Sequence, residues 1–243
     1  MSEHAPTLPV TLTAPAKLTL SLRVTGRRDD GFHLLDAEMV TLDLCDTLEV
    51  AEGDGLDIVD GSSGAAHEVE ADDDNLVRRA LALVGRRAHV RLHKRIPAGA
   101  GLGGGSADAA AVLRWARFDD LEAAADLGAD VPFCLVGGRA RVRGIGEVVE
   151  PLPVEVRTLT LWTPPFGCST PAVYRAWDDL GGPRGEHGND LEPAALVVEP
   201  RLAAWRERLA EVTGQRPRLA GSGSTWFVDG DHPGDGRVVV HTV

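Results

Sequence analysis

Lysine is nearly missing from this chain. Of the 25 basic residues, Lys17 and Lys94 are the only lysines and all the others are arginines. Where arginine is the default surface cation, a retained lysine points to a need for a compact, pKa-adjustable ammonium that a planar guanidinium does not supply. Asparagine, with Asn75 and Asn189, and tyrosine, with Tyr174 alone, are equally sparse. The three cysteines, Cys45, Cys134 and Cys168, have unrelated spacings and form no CxxC, which argues against disulfides and structural zinc and reads as core filling. No apolar run approaches the roughly 18 residues of a membrane helix. The stretch from Met1 to Lys17 has no basic-then-apolar leader and no small-residue cleavage site, so a soluble, cytoplasmic protein is expected. Positive charge is also short. A formal net charge of -12 argues against a nucleic acid or an anionic membrane as partner. Any phosphate site must therefore be local, which fits a small-molecule substrate, and oligomeric state is not legible.

What is present suffices for a globular core. The 243 residues are 43% apolar and 26% charged, enough for one large or two small domains. Alternating apolar residues from Val10 to Val24 and from Val40 to Val50 predict strands joined by the turn-rich GRRDDGFH. NLVRRALALVG predicts a helix with Asp74 as N-cap and Gly85 as its stop. HVRLHKRIP alternates as a strand and runs into a glycine loop. SADAAAVLRWARF predicts a helix beginning at Ser106, and DLEAAADLG a short second one. FCLVGGRARVRGIG reads as two strands. Pro151, Pro153, Pro164 and Pro165 bracket a new strand, VRTLTLW, and place a boundary near residue 150 between a first domain (1–150) and a second (151–243). The second part holds a helix from Pro200 to Val212, and RLAGSGSTWFVDG reads as strand, tight loop, strand. The mixture predicts an α+β fold.

The loop KRIPAGAGLGGGSADAAAVLR carries the most chemistry. Glycines 99, 101, 103, 104 and 105 precede a helical run. Positions without side chains let the backbone approach a bulky anion, with the N–H groups converging on it. The helix start adds unpaired N–H groups and the positive end of its dipole, which makes a polyphosphate the natural ligand. Gly99, Gly101 and Gly104 also satisfy GxGxxG, but Lys94, Arg95 and Pro97 replace the apolar strand that leads into a dinucleotide loop. There is no GxxxxGK[ST], which excludes a Walker A loop.

PAGAGLGGGSADAA resembles the phosphate loop of the GHMP kinases, most closely those that phosphorylate 4-diphosphocytidyl-2-C-methyl-D-erythritol. The resemblance runs the length of the chain through APAKLTLSLRVTGRRDDGFH, DDDNLVRRA, LGADVPFCL, ARVRGIGE, STPAVYRAW, GNDLEP and LAGSGSTWF. It implies a two-domain GHMP fold with the active site in the interdomain cleft, and ATP with Mg2+ as cofactors. Lys17 and Asp130 then correspond to the catalytic pair. The ATP-binding set is Asn75, Lys94 and the loop residues Pro97, Ala98, Gly99, Ala100, Gly101, Leu102, Gly103, Gly104, Gly105 and Ser106. Lys94 acts as a point charge, Asn75 either offers its amide to the nucleotide or begins its helix, and Ser106 serves the phosphates or the magnesium ion and caps its helix. Asp108 reads as a carboxylate placed for the helix dipole. Thr19, Phe32, His33, Tyr174, Gly221 and Ser222 form the substrate set, with Phe32 and Tyr174 as aromatic planes and His33 as the hydrogen-bonding edge of a pyrimidine clamp.

The chain departs from the family pattern in places. Thr19 stands where the family has Asn, and Phe32 where it has Tyr; each swap removes hydrogen-bonding capacity. The segment from Ser106 to Asp130 is about two helical turns shorter than the family leads one to expect, and glycines and a proline replace a final helix. A different small-molecule kinase of the same superfamily, such as a homoserine or mevalonate type, and a nucleotide-binding regulatory paralogue therefore stand as alternatives.

Overall fold

The computed structural model describes residues 8–61 and 70–243. Residues 1–7, part of the stretch read for an export signal, lie outside the described residues. Strands β1 (Val10–Arg27) and β2 (His33–Ala51) form a long antiparallel pair. Ala14, Ala16, Leu18, Leu20, Leu22 and Val24 of β1 are all buried, the period of two that the sequence displays. GRRDDGFH closes the hairpin, with Arg28 N donating to the Phe32 carbonyl at 2.8 Å and Phe32 N to Asp30 Oδ1 at 3.2 Å.

Four further strands, β3 (Gly55–Asp60), β4 (His89–Lys94), β5 (Arg139–Gly144) and β6 (Val148–Leu152), complete a six-stranded sheet in which only β3 and β4 are parallel. Strand β2 carries β1 along one side. On the other side it pairs with β5 through residues 35–40 and with β4 through residues 47–51, which leaves residues 41–46 outside both ladders. That gap lies beside the functional site. The β1–β2 register also shifts between Pro15 and Lys17, a local irregularity of the kind that re-aims side chains.

Helices α1 (Leu76–Leu83), α2 (Gly104–Trp115), α3 (Leu121–Leu127) and α4 (Val131–Val136) pack as a layer, with α2 against β1. The small side chains of Ala107, Ala109, Ala110 and Ala111 are buried and let α2 lie close to the sheet. Three expectations change here. The N-cap of α1 is Asn75, whose side chain accepts from Val77 N at 2.9 Å, in place of Asp74. Helix α2 starts at Gly104 behind a left-handed Gly103, so Ser106 lies inside the first turn and caps nothing. Residues 133–136, expected at the start of a strand, belong to α4, because Pro132 suits the first turn of a helix and the run buries Val131, Phe133 and Cys134 together.

The chain leaves this sheet between Leu152 and Thr158, so the boundary expected near residue 150 falls inside β6. A second sheet follows in the order β10-β7-β9-β8, built from β7 (Thr158–Trp162), β8 (Arg218–Leu219), β9 (Trp226–Asp229) and β10 (Arg237–His241). Helix α7 (Leu202–Thr213) packs on β9, α6 (Glu192–Val198) on α7, and α5 (Thr170–Asp179) on α6. Past β10 the chain returns to the gap in β2, where Val243 N donates to the Thr41 carbonyl at 3.1 Å. Among the described residues no helix is long and apolar enough to cross a membrane.

Candidate active site

The glycine loop hangs between two anchors. Asp46, fully buried in the β2 gap, accepts from Arg95 N at 2.5 Å and Ile96 N at 2.8 Å through Oδ1, and from Lys94 Nζ through Oδ2. These bonds fix where the chain leaves β4. At the other end, Lys17 N of β1 donates to the Leu102 carbonyl at 3.0 Å, and Thr225 N donates to the Ala100 carbonyl at 3.1 Å. The loop and the first turn of α2 line a cavity of about 550 Å³ that also receives Asn75, Asp130 and Thr170.

Asp130 precedes α4 as its N-cap residue but makes no side-chain capping bond. Its carboxylate meets Lys17 instead, with Nζ 3.0 Å from Oδ2. The ammonium also donates to Thr19 Oγ1 at 3.2 Å, so the hydroxyl that replaces the family's amide is within reach of the lysine. Lys17 is 4% exposed, whereas the Asp130 side chain is 29% exposed toward the cavity. A buried cation is thus paired with a half-open carboxylate that lines the cavity.

Lys94 lines the same cavity, as expected, but its ammonium is buried and held by both Asp46 and Asp108, the latter at 2.8 Å, so it is a paired group and not a free point charge. Asp108 correspondingly faces Lys94 from inside α2 and does not serve the helix dipole. Burial works against the Lys94 ammonium, but the two carboxylates outweigh it and raise its pKa. Burial pushes the Asp108 carboxyl up to about 7, against the pull of Lys94 and with the push of Asp46. The cluster supports the loop from below and keeps its cation within 3.1 Å of where a Cβ on Gly104 would stand.

A second small-residue loop closes the site from the other sheet. Asn189 Nδ2 donates to the Leu219 carbonyl at 2.9 Å and to the Gly221 carbonyl at 2.7 Å, while its Oδ1 accepts from Leu191 N at 3.0 Å. Neighbouring Asp190, fully buried, accepts from Val24 N at 3.1 Å and from Arg23 at 2.5 Å, which fastens this segment to β1. Ser222 Oγ lies 2.7 Å from Thr170 Oγ1. The two loops nearly touch: a Cβ on Gly101 would stand 2.5 Å from the Ala220 carbonyl oxygen. A Cβ on Gly221 would lie 3.8 Å from both Lys17 Nζ and Thr19 Oγ1.

At the far end of β1 the hairpin meets α5. His33 stacks on Tyr174 with ring centroids 4.7 Å apart and 25° between planes, and Trp177 presents its edge to the imidazole at 5.6 Å. Burial, and then the Asp130 charge, push the Tyr174 phenol up. Phe32 is 59% exposed at the hairpin tip. Asp46, Asn189, Asp190 and Asp178 were not singled out by their types, because their partners are remote in sequence; only the rarity of asparagine marked Asn189.

Gly103 links the loop to the lysine. It has φ +67°, and an added Cβ would come 2.7 Å from Lys17 Cγ and 3.0 Å from Cε. Gly103→Val should weaken ATP binding more than tenfold and displace Lys17, because a β-branched residue resists the left-handed backbone and collides with the lysine stem. Unchanged ATP affinity by calorimetry, in a variant whose circular dichroism is native, would contradict this.

A glycine loop at a helix start, bonded to the lysine of a lysine–carboxylate pair, is the arrangement expected of a small-molecule kinase. Residues 75–138 match the model of the GHMP kinases N terminal domain. A 4-diphosphocytidyl-2-C-methyl-D-erythritol kinase of Paracoccus denitrificans (strain Pd 1222) is 42% identical, over 88% of this chain and 84% of the relative. One of Granulibacter bethesdensis is 40% identical over 92% of this chain and 86% of the relative; that alignment spans 261 positions against the 243 residues here, so the relative carries insertions. A crystal structure of 4-(cytidine 5'-diphospho)-2C-methyl-D-erythritol kinase superposes with a TM-score of 0.74 at 32% identity, covering 96% of this chain and 99% of that one. The chain belongs to the 4-diphosphocytidyl-2-C-methyl-D-erythritol kinase family. A putative homoserine kinase of Listeria monocytogenes, at 18% identity and a TM-score of 0.60, shares the fold.

Proposed function

We propose that this kinase transfers the γ-phosphoryl group of ATP to a hydroxyl of 4-diphosphocytidyl-2-C-methyl-D-erythritol, in non-mevalonate isoprenoid precursor synthesis. The observation that carries the reaction is the Lys17–Asp130 pair, 3.0 Å apart, whose carboxylate lines the glycine cavity. Family membership supports the substrate. ATP fits the residues present: the loop lines a cavity of about 550 Å³, carries no charged side chain of its own, and leaves no space for side chains at Gly101 and Gly103. Magnesium would enter with the nucleotide, and the Ser106 hydroxyl, which lines the cavity, would be an oxygen donor to it.

Phosphoryl transfer has a loose transition state, so the protein's work is positioning and charge stabilisation. Asp130 accepts the hydroxyl proton as the substrate oxygen bonds to the γ-phosphorus and the bond to ADP breaks. Lys17 orients that oxygen and offsets the negative charge that builds on it, in a setting too buried for water to screen it. Thr19 holds the ammonium in line, and Gly221 leaves room beside it. His33, Tyr174 and exposed Phe32 receive the cytosine.

A panel assay tests the reading. ATP consumption should depend on the cytidine-diphosphate methylerythritol and be at least about tenfold slower with homoserine or mevalonate, the order expected when a site's polar groups go unmatched. Equal rates across the panel would remove the cytidine substrate. ATP binding with neither transfer nor hydrolysis would make the chain a nucleotide-binding regulator.

A further inference from the structure

The site contains a carboxylate that touches neither reacting group. Asp178, in the last turn of α5, places Oδ1 2.8 Å from His33 Nε2. Its other oxygen lies 3.4 Å from the Arg27 guanidinium. The imidazole is thus held on three sides, by Asp178 in its plane, by the Tyr174 ring on its face and by the Trp177 edge. Its side chain is only 10% exposed. Among the described residues no hydrogen bond is made by the remaining ring nitrogen, Nδ1.

We infer that Asp178 is the positioning residue that selects the base, by fixing the tautomer of His33. This rests on the cytidine reading above and deepens it. A carboxylate only accepts, so the neutral imidazole must present N–H at Nε2 and a lone pair at Nδ1. The orientation of such a ring is set by the bond made at its other nitrogen. A lone pair at Nδ1 matches a base edge that carries an amino donor, as cytosine does. The same lone pair opposes the carbonyl that uracil carries there. Without Asp178, the proton is free to move to Nδ1, and the edge becomes ambiguous. Tyr174 contributes stacking, which accepts either pyrimidine, so discrimination falls on the imidazole edge and on the residue behind it.

The test has two readouts. Nitrogen-15 spectra of the ligand-free protein at pH 8 report the tautomer directly; wild type should hold the proton on Nε2, and Asp178→Ala should show a mixture. In parallel, the kcat/KM ratio for the cytidine substrate over its uridine analogue should fall about tenfold in Asp178→Ala, the order of one hydrogen bond. The change should appear in KM for the nucleotide, with kcat near wild type, because the base lies away from the reacting hydroxyl. An unchanged tautomer together with an unchanged ratio overturns the inference. So does an equal loss toward both nucleotides with the tautomer intact, which makes Asp178 a structural tether of hairpin to helix. If wild type phosphorylates neither nucleotide, the cytidine reading fails, and the spectra alone decide whether Asp178 sets the proton.

Discussion

Asp130→Asn should lower turnover by roughly 10²- to 10⁴-fold while ATP affinity stays within a few fold, the range expected for the loss of a general base. The amide is nearly isosteric, so the start of α4, where the Asp130 side chain caps nothing, should be undisturbed. Lys17 keeps its bond to Thr19 and remains placed. What disappears is the one cavity-facing acceptor beside the lysine, and an amide oxygen takes no proton at neutral pH. Turnover within threefold of wild type, in steady-state assays with saturating ATP, would remove Asp130 from the mechanism.

The lysine should prove as unforgiving. Lys17→Ala should lower turnover to a similar degree, and Lys17→Arg should not restore it. A guanidinium is planar and larger than an ammonium, and Thr19 and Asp130 already stand within 3.2 Å of Nζ. The Gly103 backbone passes close to the stem, where even a Cβ would stand 2.7 Å from Lys17 Cγ. An arginine would have to push the phosphate loop or the second glycine loop aside, and a misplacement near 1 Å can cost about a hundredfold in rate. Rescue by arginine to near wild-type turnover would mean that bulk positive charge is all the site requires.

The parts of the site that were legible in the sequence are those written in consecutive residues. The glycine run reads as an anion cradle because each of its positions acts locally through its backbone, and in the structure it lines a cavity. The two lysines stood out by rarity, yet their roles diverge. Lys17 pairs with the cavity-lining Asp130, while Lys94, which itself lines the cavity, is paired with Asp46 and Asp108. Adjacency along the chain did not distinguish them, because what separates them is a carboxylate on another strand. Asp46 looks like one more polar residue in an alternating strand, and its significance lies in backbone donors 49 and 50 positions away. Asn189 likewise works through carbonyls 30 and 32 positions on. The helix errors have local causes. Gly103 caps α2 by adopting a left-handed backbone and not by a side-chain oxygen, and α4 is too short for a helical period to outweigh its apolar run. The shortened segment between Ser106 and Asp130 still delivers both ends to one cavity, which removes the chief argument for a binding-only relative.

Single-turnover quenching with γ-labelled ATP tests the central claim most directly. With the cytidine-diphosphate methylerythritol in excess over enzyme, the label should pass in one exponential phase into a phosphomonoester of that alcohol. The protein should remain unlabelled, and the phase should vanish in Asp130→Asn. Label found only in inorganic phosphate, or retained on the protein, would contradict direct transfer to a hydroxyl held between Lys17 and Asp130.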